Sequence, residues 1–186
     1  MNQREFESVV ESYRECLYPM GLPPNMAVWY SRGYLYDFLD FLSMVDRYRS
    51  RGDRILDFGA GHGFFSVLLV EAGYRVSGVD VEMAGPNQVS RCSTADYGDV
   101  AERLARPDLL EKLYGRLMER WPLELVLYAG RALPYEDSSF EGVVAHAVLE
   151  HIPLASFSGA LEEIRRVLRE GGNFFVFRTP RRGGYS

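Results

Sequence analysis

Apolar residues recur at helical spacing through the first 50 residues of the chain. Two stretches, about 2–18 and about 28–48, place an apolar side chain every three or four residues, which is the pattern of an amphipathic helix. The pair Pro23-Pro24 separates them, because proline cannot continue a helix. The pattern predicts an N-terminal helical segment over residues 1–50.

From residue 51 onward short apolar runs alternate with helical patterns. Helices are predicted over Phe64–Ala72 and over Ala155–Arg169, the second ended by Gly171-Gly172. A strand, a helix and a strand within about 30 residues form a βαβ unit, which implies a parallel sheet. The alternation predicts a Rossmann-like, doubly wound α/β domain over residues 51–186. Its five strands are predicted at Arg54–Phe58, Tyr74–Val79, Leu123–Tyr128, Phe140–Ala145 and Asn173–Phe177.

The stretch between the second and third strands, about 84–121, is the hardest part of the chain to interpret. Its second half is charged and helix-favouring, and Pro107 interrupts it. We expect a helical insertion made of one or two surface helices. It either forms a lid over a binding site or is a solvated decoration, and the pattern does not choose between the two.

Composition and charge exclude several classes of protein. The chain has 186 residues, 47% of them hydrophobic, which suits one ordinary domain with a substantial core. No apolar run approaches the roughly 18 residues of a membrane span, so we expect no membrane partner and a cytoplasmic location. A net charge of −5 makes a nucleic-acid partner unlikely. Two cysteines, Cys16 and Cys92, and three scattered histidines predict neither a disulfide framework nor a metal site.

A glycine-rich turn follows the first predicted strand. Gly59 permits a tight exit from the strand, and Gly61 and Gly63 leave backbone bare for a ligand. The free N–H groups of the following helix point at this turn and favour an anionic group there. Dinucleotide-binding proteins have the spacing G-x-G-x-x-G, whereas Phe64 stands at the position of the third glycine here. The spacing therefore weighs against an NAD-dependent oxidoreductase, which we keep as a rival.

An acidic residue closes the second predicted strand. Asp80 lies 21 residues after Gly59, where a carboxylate can accept hydrogen bonds from both ribose hydroxyls of an adenosine. The alternative is that Asp80 caps the next helix. The order of turn, strand and acid favours the adenosine interpretation.

Four segments together resemble the class I S-adenosylmethionine (SAM) dependent methyltransferases, in particular the small-molecule branch called type 11. The resemblance covers about residues 53–180 and implies SAM as cofactor and methyl transfer to a small-molecule acceptor. It is carried by the glycine motif of Ile55–Gly63, the LPF-x-D-x-SFD-x-V segment at Leu133–Val144, the VLEH segment at Val148–Ile152 and the lead into the fifth strand at Ile164–Gly172.

The same resemblance implies a role for each residue of the site. Gly59, Ala60 and Gly61 would line the methionine part of SAM, and Asp80 would hold its ribose. His146 would lie near the transferred methyl group. The full cofactor-binding set would be Asp57, Gly59, Ala60, Gly61, Gly63, Asp80, Val81, Ala132, Leu133 and His146, with Asp57 anchoring the turn through the backbone or the cofactor amine, and with Val81, Ala132 and Leu133 around the adenine.

Two histidines are candidates for a general base, His146 and His151. For His151 the alternative is that it caps the following helix together with Glu150. Three aromatic residues of the N-terminal segment either line an acceptor pocket or pack against the sheet, namely Trp29, Tyr30 and Tyr34.

The chain departs from the family pattern at two places. Ala129 stands where many relatives carry an acid that binds the adenine amine. The family sheet continues through two more strands after the fifth, and these are lacking before Ser186. We therefore keep open a truncated methyltransferase domain and a non-catalytic, SAM-fold partner or regulatory subunit. A second copy or a partner chain would then cover the edge of the fifth strand.

Overall fold

The computed structural model describes residues 1–20, 32–81 and 107–177 of the chain. Trp29, Tyr30, Cys92, the first residues of the predicted second helix, most of the 84–121 stretch and the chain after residue 177 lie outside them, as does the side chain of Tyr34. The helices are α1 (Gln3–Leu17), α2 (Arg32–Asp46), α3 (Phe64–Glu71), α4 (Pro107–Arg120) and α5 (Leu154–Val167). The strands are β1 (Arg54–Phe58), β2 (Arg75–Val81), β3 (Leu123–Tyr128), β4 (Phe140–His146) and β5 (Leu168–Phe177).

The strands form one parallel sheet in the order β3-β2-β1-β4-β5. The prediction of a Rossmann-like, doubly wound sheet is confirmed. Strand order reverses between β1 and β4, because the chain first builds outward through β2 and β3 and then returns to the other side of β1. In such sheets the carboxyl ends of the strands at the reversal form the crevice in which ligands bind.

The two faces of the sheet are covered by two hydrophobic clusters. Successive strand residues point to opposite faces, so that Ile55 belongs to the cluster of α1, α2, α3 and α4, while Leu56 belongs to the cluster of α5. The N-terminal helix begins with a capping box formed by Asn2 and Glu5. Its face of Phe6, Val9, Tyr13, Cys16 and Leu17 is buried in the first of these clusters. The helical segment therefore shares its core with the sheet.

Residues 107–120 form one helix of the predicted insertion. It begins at Pro107, a position where the missing N–H of proline has no helical partner to lose. The buried face of α4 consists of Leu110, Leu113, Tyr114 and Leu117, spaced at i, i+3, i+4 and i+7. An ion pair of 2.6 Å between Arg120 and Glu15 joins α4 to α1. One face of this helix therefore belongs to the core, while the other is exposed.

The predicted boundary between the last helix and the last strand is wrong. Helix α5 ends at Val167 and β5 begins at Leu168, so Gly171-Gly172 lies inside the strand. Pairing between β4 and β5 shifts register between Phe140 and Gly142, and Gly171 has a φ of 72°. A Cβ on Gly172 would lie 2.8 Å from the carbonyl oxygen of Arg169. The two glycines therefore allow the irregular backbone at this point of the strand.

Within the described ranges no helix combines the length and the apolar character that crossing a bilayer requires.

Candidate functional site

The glycine turn, residues 59–63, leaves the carboxyl end of β1 and crosses toward β2. The N–H groups of Gly59 and Ala60 donate to the carbonyl of Val79 over 2.8 and 2.9 Å. All three glycines adopt a positive φ, 80° at Gly59, 53° at Gly61 and 76° at Gly63, which other L residues adopt only with strain. The turn therefore stands at the reversal of strand order, where the fold predicts a ligand.

The glycines differ in what lies beside them. A Cβ on Gly61 would have no atom of residues 1–20, 32–81 or 107–177 within 4 Å. A Cβ on Gly63 would lie 2.8 Å from Leu117 and 2.9 Å from Leu125, and one on Gly59 would collide with Val148. The expectation that Gly63 leaves room for a ligand is therefore corrected, because leucine side chains of the core fill that space.

Asp80 points back at the glycine turn. It lies within β2, one residue before the strand ends, and not after the strand as predicted. Its Oδ2 accepts the N–H of Gly61 over 2.6 Å, and its Oδ1 accepts the N–H of Val81 over 2.7 Å. Burial raises the pKa of Asp80, while these two backbone hydrogen bonds oppose the rise. Each carboxylate oxygen keeps a second lone pair for another donor.

Asp57 anchors a helix and not the backbone of the turn. It is 1% exposed, and its Oδ2 accepts the hydroxyl of Ser66 over 2.6 Å. Burial raises the pKa of Asp57 to about 7, Ser66 opposes the rise and the nearby Asp80 adds to it. This bond ties β1 to the first turns of α3. Periodicity gave no sign of Ser66, a buried polar residue in an apolar helix.

Two tyrosines that the sequence analysis did not assign to the site hold the glycine turn from outside. The Tyr13 hydroxyl, from α1, donates to the carbonyl of His62 over 2.9 Å. The Tyr114 hydroxyl, from α4, donates to the carbonyl of Gly61 over 2.7 Å. Both residues are buried. Helical spacing places them on buried faces, and a buried tyrosine hydroxyl needs a partner, but spacing does not say which one.

His146 ends β4 within an aromatic stack. Its ring lies 4.7 Å from that of Phe65 and 5.7 Å from that of Phe177, with interplanar angles of 15° and 24°. Burial lowers the pKa of His146 to about 4, so the imidazole is neutral at pH 7. The next residue, Ala147, has a φ of 54° and donates its N–H to Phe177 over 2.9 Å. Strained backbone of this kind clusters at functional sites.

His151 occupies a different setting. It ends a 3₁₀ turn, Leu149–His151, and is exposed. The helix that follows begins behind Pro153 without a side-chain cap. The alternative that His151 and Glu150 cap this helix stays a prediction.

The segment after β3 supplies the residues expected around an adenine. Ala132 is exposed, while Leu133 is buried in the cluster beneath α5. The N–H of Leu133 donates to Glu163 over 2.7 Å, and its carbonyl accepts from Arg166 over 3.0 Å. Both backbone groups of Leu133 are therefore engaged with α5. Val81 lies beside Gly130: a Cβ on Gly130 would be 3.3 Å from a methyl group of Val81.

Two other observations on the described residues bear on where a site can lie. A groove of about 360 Å³ between α5 and β5, lined by Leu161, Arg165 and Phe174 among others, contains none of the residues above. In the part of the chain that the structure describes, no group of three or more His, Cys, Asp or Glu side chains is placed to hold a metal ion.

Comparison with known proteins shows what the chain is similar to. A family model described as "Methyltransferase domain" matches residues 56–176. The sterol 24-C-methyltransferase ERG6B of Gibberella zeae is 32% identical over 127 residues, which are 68% of this chain and 27% of that protein. An uncharacterized methyltransferase of Mycobacterium avium is 28% identical over 121 residues, 65% of this chain and 37% of that protein. The chain thus spans about a quarter to a third of the length of these relatives.

One solved structure is similar to the chain in fold. The crystal structure of the PH0226 protein from Pyrococcus horikoshii superposes with a TM-score of 0.55 at 25% identity. The match covers 79% of this chain and 59% of that protein.

Proposed function

The chain belongs to the class I SAM-dependent methyltransferase family, and on this premise we propose that residues 57–81, together with the strand ends beside them, bind SAM. We propose further that the whole protein transfers the methyl group of SAM to a small-molecule acceptor. Support for a small acceptor comes from the resemblance to the type 11 branch. The sterol named for one relative belongs to that relative.

The observation that carries the proposal is the pairing of bare glycine backbone with a half-buried carboxylate. No atom of the described residues lies within 4 Å of a Cβ position on Gly61. Its N–H also donates to the Asp80 carboxylate. Bare backbone lets the methionine part of a cofactor approach closely, and the carboxylate beside it can accept ribose hydroxyls. Residues of this chemistry fit SAM.

The remaining groups orient the cofactor and its surroundings. The amino end of α3 directs free N–H groups at the turn, which favours the carboxylate of the methionine part. Asp57 keeps α3 in place through Ser66. The exposed Ala132 and the half-buried Val81 offer an apolar wall for the adenine. Gly63 and Leu133 contribute through packing, since their surroundings are core.

Little further chemistry is needed from the protein. SAM, when bound, supplies a methyl group already activated by its sulfonium. The chain has to align the acceptor with this methyl group and exclude water, and alignment alone can contribute several kcal/mol. With a pKa of about 4, the neutral His146 is a weak base. We therefore propose that it lines the methyl end of the site. An acceptor that carries a proton would also need a general base, for which the exposed His151 is the candidate.

Binding of SAM by the wild-type chain and by an Asp80→Ala variant tests the proposal. Loss of hydrogen bonds to a charged group is expected to weaken binding by about 1 to 3 kcal/mol, or roughly 5- to 150-fold. Isothermal titration calorimetry with SAM and with S-adenosylhomocysteine measures this change. The matched control is Asp40→Ala, because Asp40 is an exposed aspartate on α2.

Three outcomes separate the hypotheses. Weaker binding in folded Asp80→Ala alone supports the assigned site. Equal affinity in both variants refutes the ribose contact. A wild-type chain that binds SAM but methylates none of a panel of small molecules favours the non-catalytic partner.

A further inference from the structure

The glycine turn is held on three consecutive peptide groups by residues from three different elements. Asp80 of β2 accepts the N–H of the Ala60–Gly61 peptide. Tyr114 of α4 donates to the carbonyl of the Gly61–His62 peptide. Tyr13 of α1 donates to the carbonyl of the His62–Gly63 peptide, whose N–H in turn donates to Ala60 over 2.8 Å.

These hydrogen bonds fix directions as well as distances. In a planar trans peptide the carbonyl and the N–H point opposite ways, so a hydroxyl that fixes the carbonyl also fixes where the attached N–H points. A turn with glycine at every second position has the widest choice of backbone conformations, and ordering each residue costs about 1 to 2 kcal/mol of conformational entropy. A turn already ordered by the protein spares a ligand that cost when it binds.

The two hydroxyls are well placed to keep this order. Tyr13 is 0% exposed and Tyr114 is 2% exposed, so water cannot readily replace them at the carbonyls. Each ring is also anchored by packing: Tyr13 contacts Phe64 edge to face at 4.9 Å, and Tyr114 lies in the buried stripe of α4. Removal of either hydroxyl would leave a carbonyl without its donor and the ring still in place.

From this geometry we propose that Tyr13 and Tyr114 are positioning residues of the SAM site, which hold the glycine turn in its ligand-binding shape before SAM arrives. The proposal rests on the proposed function. It makes α1 and α4, which lie outside the βαβ unit, working parts of cofactor binding. Neither tyrosine needs to touch SAM.

The test compares three tyrosine-to-phenylalanine variants. Tyr13→Phe and Tyr114→Phe each remove one hydroxyl from the turn. Tyr74→Phe is the matched control, because Tyr74 is also buried and its hydroxyl donates to Asp46 at the opposite end of β2. Each variant is measured for its thermal midpoint, for its SAM dissociation constant and for amide hydrogen exchange at residues 59–63 without ligand.

We expect all three variants to lose some thermal stability. Only Tyr13→Phe and Tyr114→Phe should raise the SAM dissociation constant, by about two- to tenfold, the scale of one neutral hydrogen bond. The same two variants should exchange amides of the turn several-fold faster than wild type. The double variant should fall short of the product of the two single changes, since the two hydroxyls act on adjacent peptides.

Failure of this proposal is distinguishable from failure of the proposed function. If wild type binds SAM and both folded variants bind it equally well, the positioning role is wrong and the SAM site stands. An equal loss of affinity in Tyr74→Phe would also overturn it, since the effect would then follow general stability. If wild type does not bind SAM, the SAM site is wrong, and unchanged exchange at residues 59–63 would refute the holding of the turn as well.

Discussion

The three glycines of the turn share a positive φ and have different neighbours. Among the described residues, no atom lies within 4 Å of a Cβ position on Gly61. Val148 lies beside Gly59, and Leu117 and Leu125 lie beside Gly63. The spacing G-x-G-x-G in the sequence marks all three equally. It cannot separate a glycine kept bare for a ligand from one kept bare for the core, because that distinction depends on side chains from α4 and β3.

Substitution of glycine by alanine should therefore have opposite effects at two positions. Gly63→Ala combines a positive φ with a collision against leucines of the core, and we expect it to lower the free energy of unfolding by about 2 to 4 kcal/mol. Gly115 lies inside α4, and no atom of the described residues lies within 4 Å of a Cβ position there. Gly115→Ala should therefore raise the free energy of unfolding by up to about 1 kcal/mol. Urea unfolding of both variants measures the difference. A Gly63→Ala chain as stable as wild type would contradict the packing described here.

Among the elements, α5 is bound to the loop of residues 133–139 by one arginine. Arg166 donates two hydrogen bonds of 2.7 and 2.9 Å to Glu163 and one of 2.8 Å to Asp137. It also donates to the carbonyls of Leu133 and Tyr135. The N–H of Leu133 donates to the carboxylate of Glu163. One guanidinium therefore ties the helix beneath the sheet to the loop that leads from the proposed adenine wall into β4.

Loss of this guanidinium should destabilise the chain more than loss of its neighbour. Arg166→Gln leaves Glu163, which is 21% exposed in its side chain, without its charged partner and with only the N–H of Leu133. We expect this to lower the free energy of unfolding by about 2 kcal/mol, the scale of hydrogen bonds to a charged group. Arg165→Gln is the control, since Arg165 is exposed on the same helix and should change stability by less than about 0.5 kcal/mol. Equal losses in urea unfolding would mean that the ties to Glu163 and the loop contribute nothing.

At this scale the sequence predicts strands better than the joints between elements. The limits of β1 and β3 match the predicted bounds residue for residue, because both are short, mostly apolar runs. The start of β5 was misplaced, because a glycine pair ends helices far more often than it occupies a strand. The buried face of α4 is hard to predict, because the charged residues of this helix outnumber its buried residues. The bonds from Tyr13, Tyr114 and Arg166 join residues 29 to 53 positions apart, and periodicity holds no information about such pairs.

For the whole molecule, buried titratable groups give the stability two opposing dependences on pH. Burial lowers the pKa of His62 and of His146 to about 4. Between pH 4 and about 6.5 the unfolded chain therefore binds more protons, and these two groups make stability rise with pH. Burial raises the pKa of Asp57 to about 7 from 3.8. Between these values the folded chain holds the extra proton, and Asp57 makes stability fall as pH rises.

Two variants should separate these contributions. His146→Phe keeps an aromatic ring between Phe65 and Phe177 but cannot titrate, so its stability relative to wild type should improve as pH falls from 6.5 to 4. Asp57→Asn should show the reverse trend, with its relative stability improving as pH rises from 4 to 7. Urea unfolding at pH 4.5, 5.5, 6.5 and 7.5 measures both trends. Parallel curves for wild type and His146→Phe would show that His146 titrates alike in the folded and unfolded chains.

The contact between α1 and α4 has a consequence for folding during synthesis on the ribosome. Glu15 and Arg120 are 105 residues apart in the chain, and synthesis proceeds at about 5 to 20 residues per second. Glu15 is thus synthesised roughly 5 to 20 seconds before Arg120. Over that interval Phe6 and Tyr13 of α1 can pack against Phe64 of α3, but the part of the apolar face that α4 covers stays exposed.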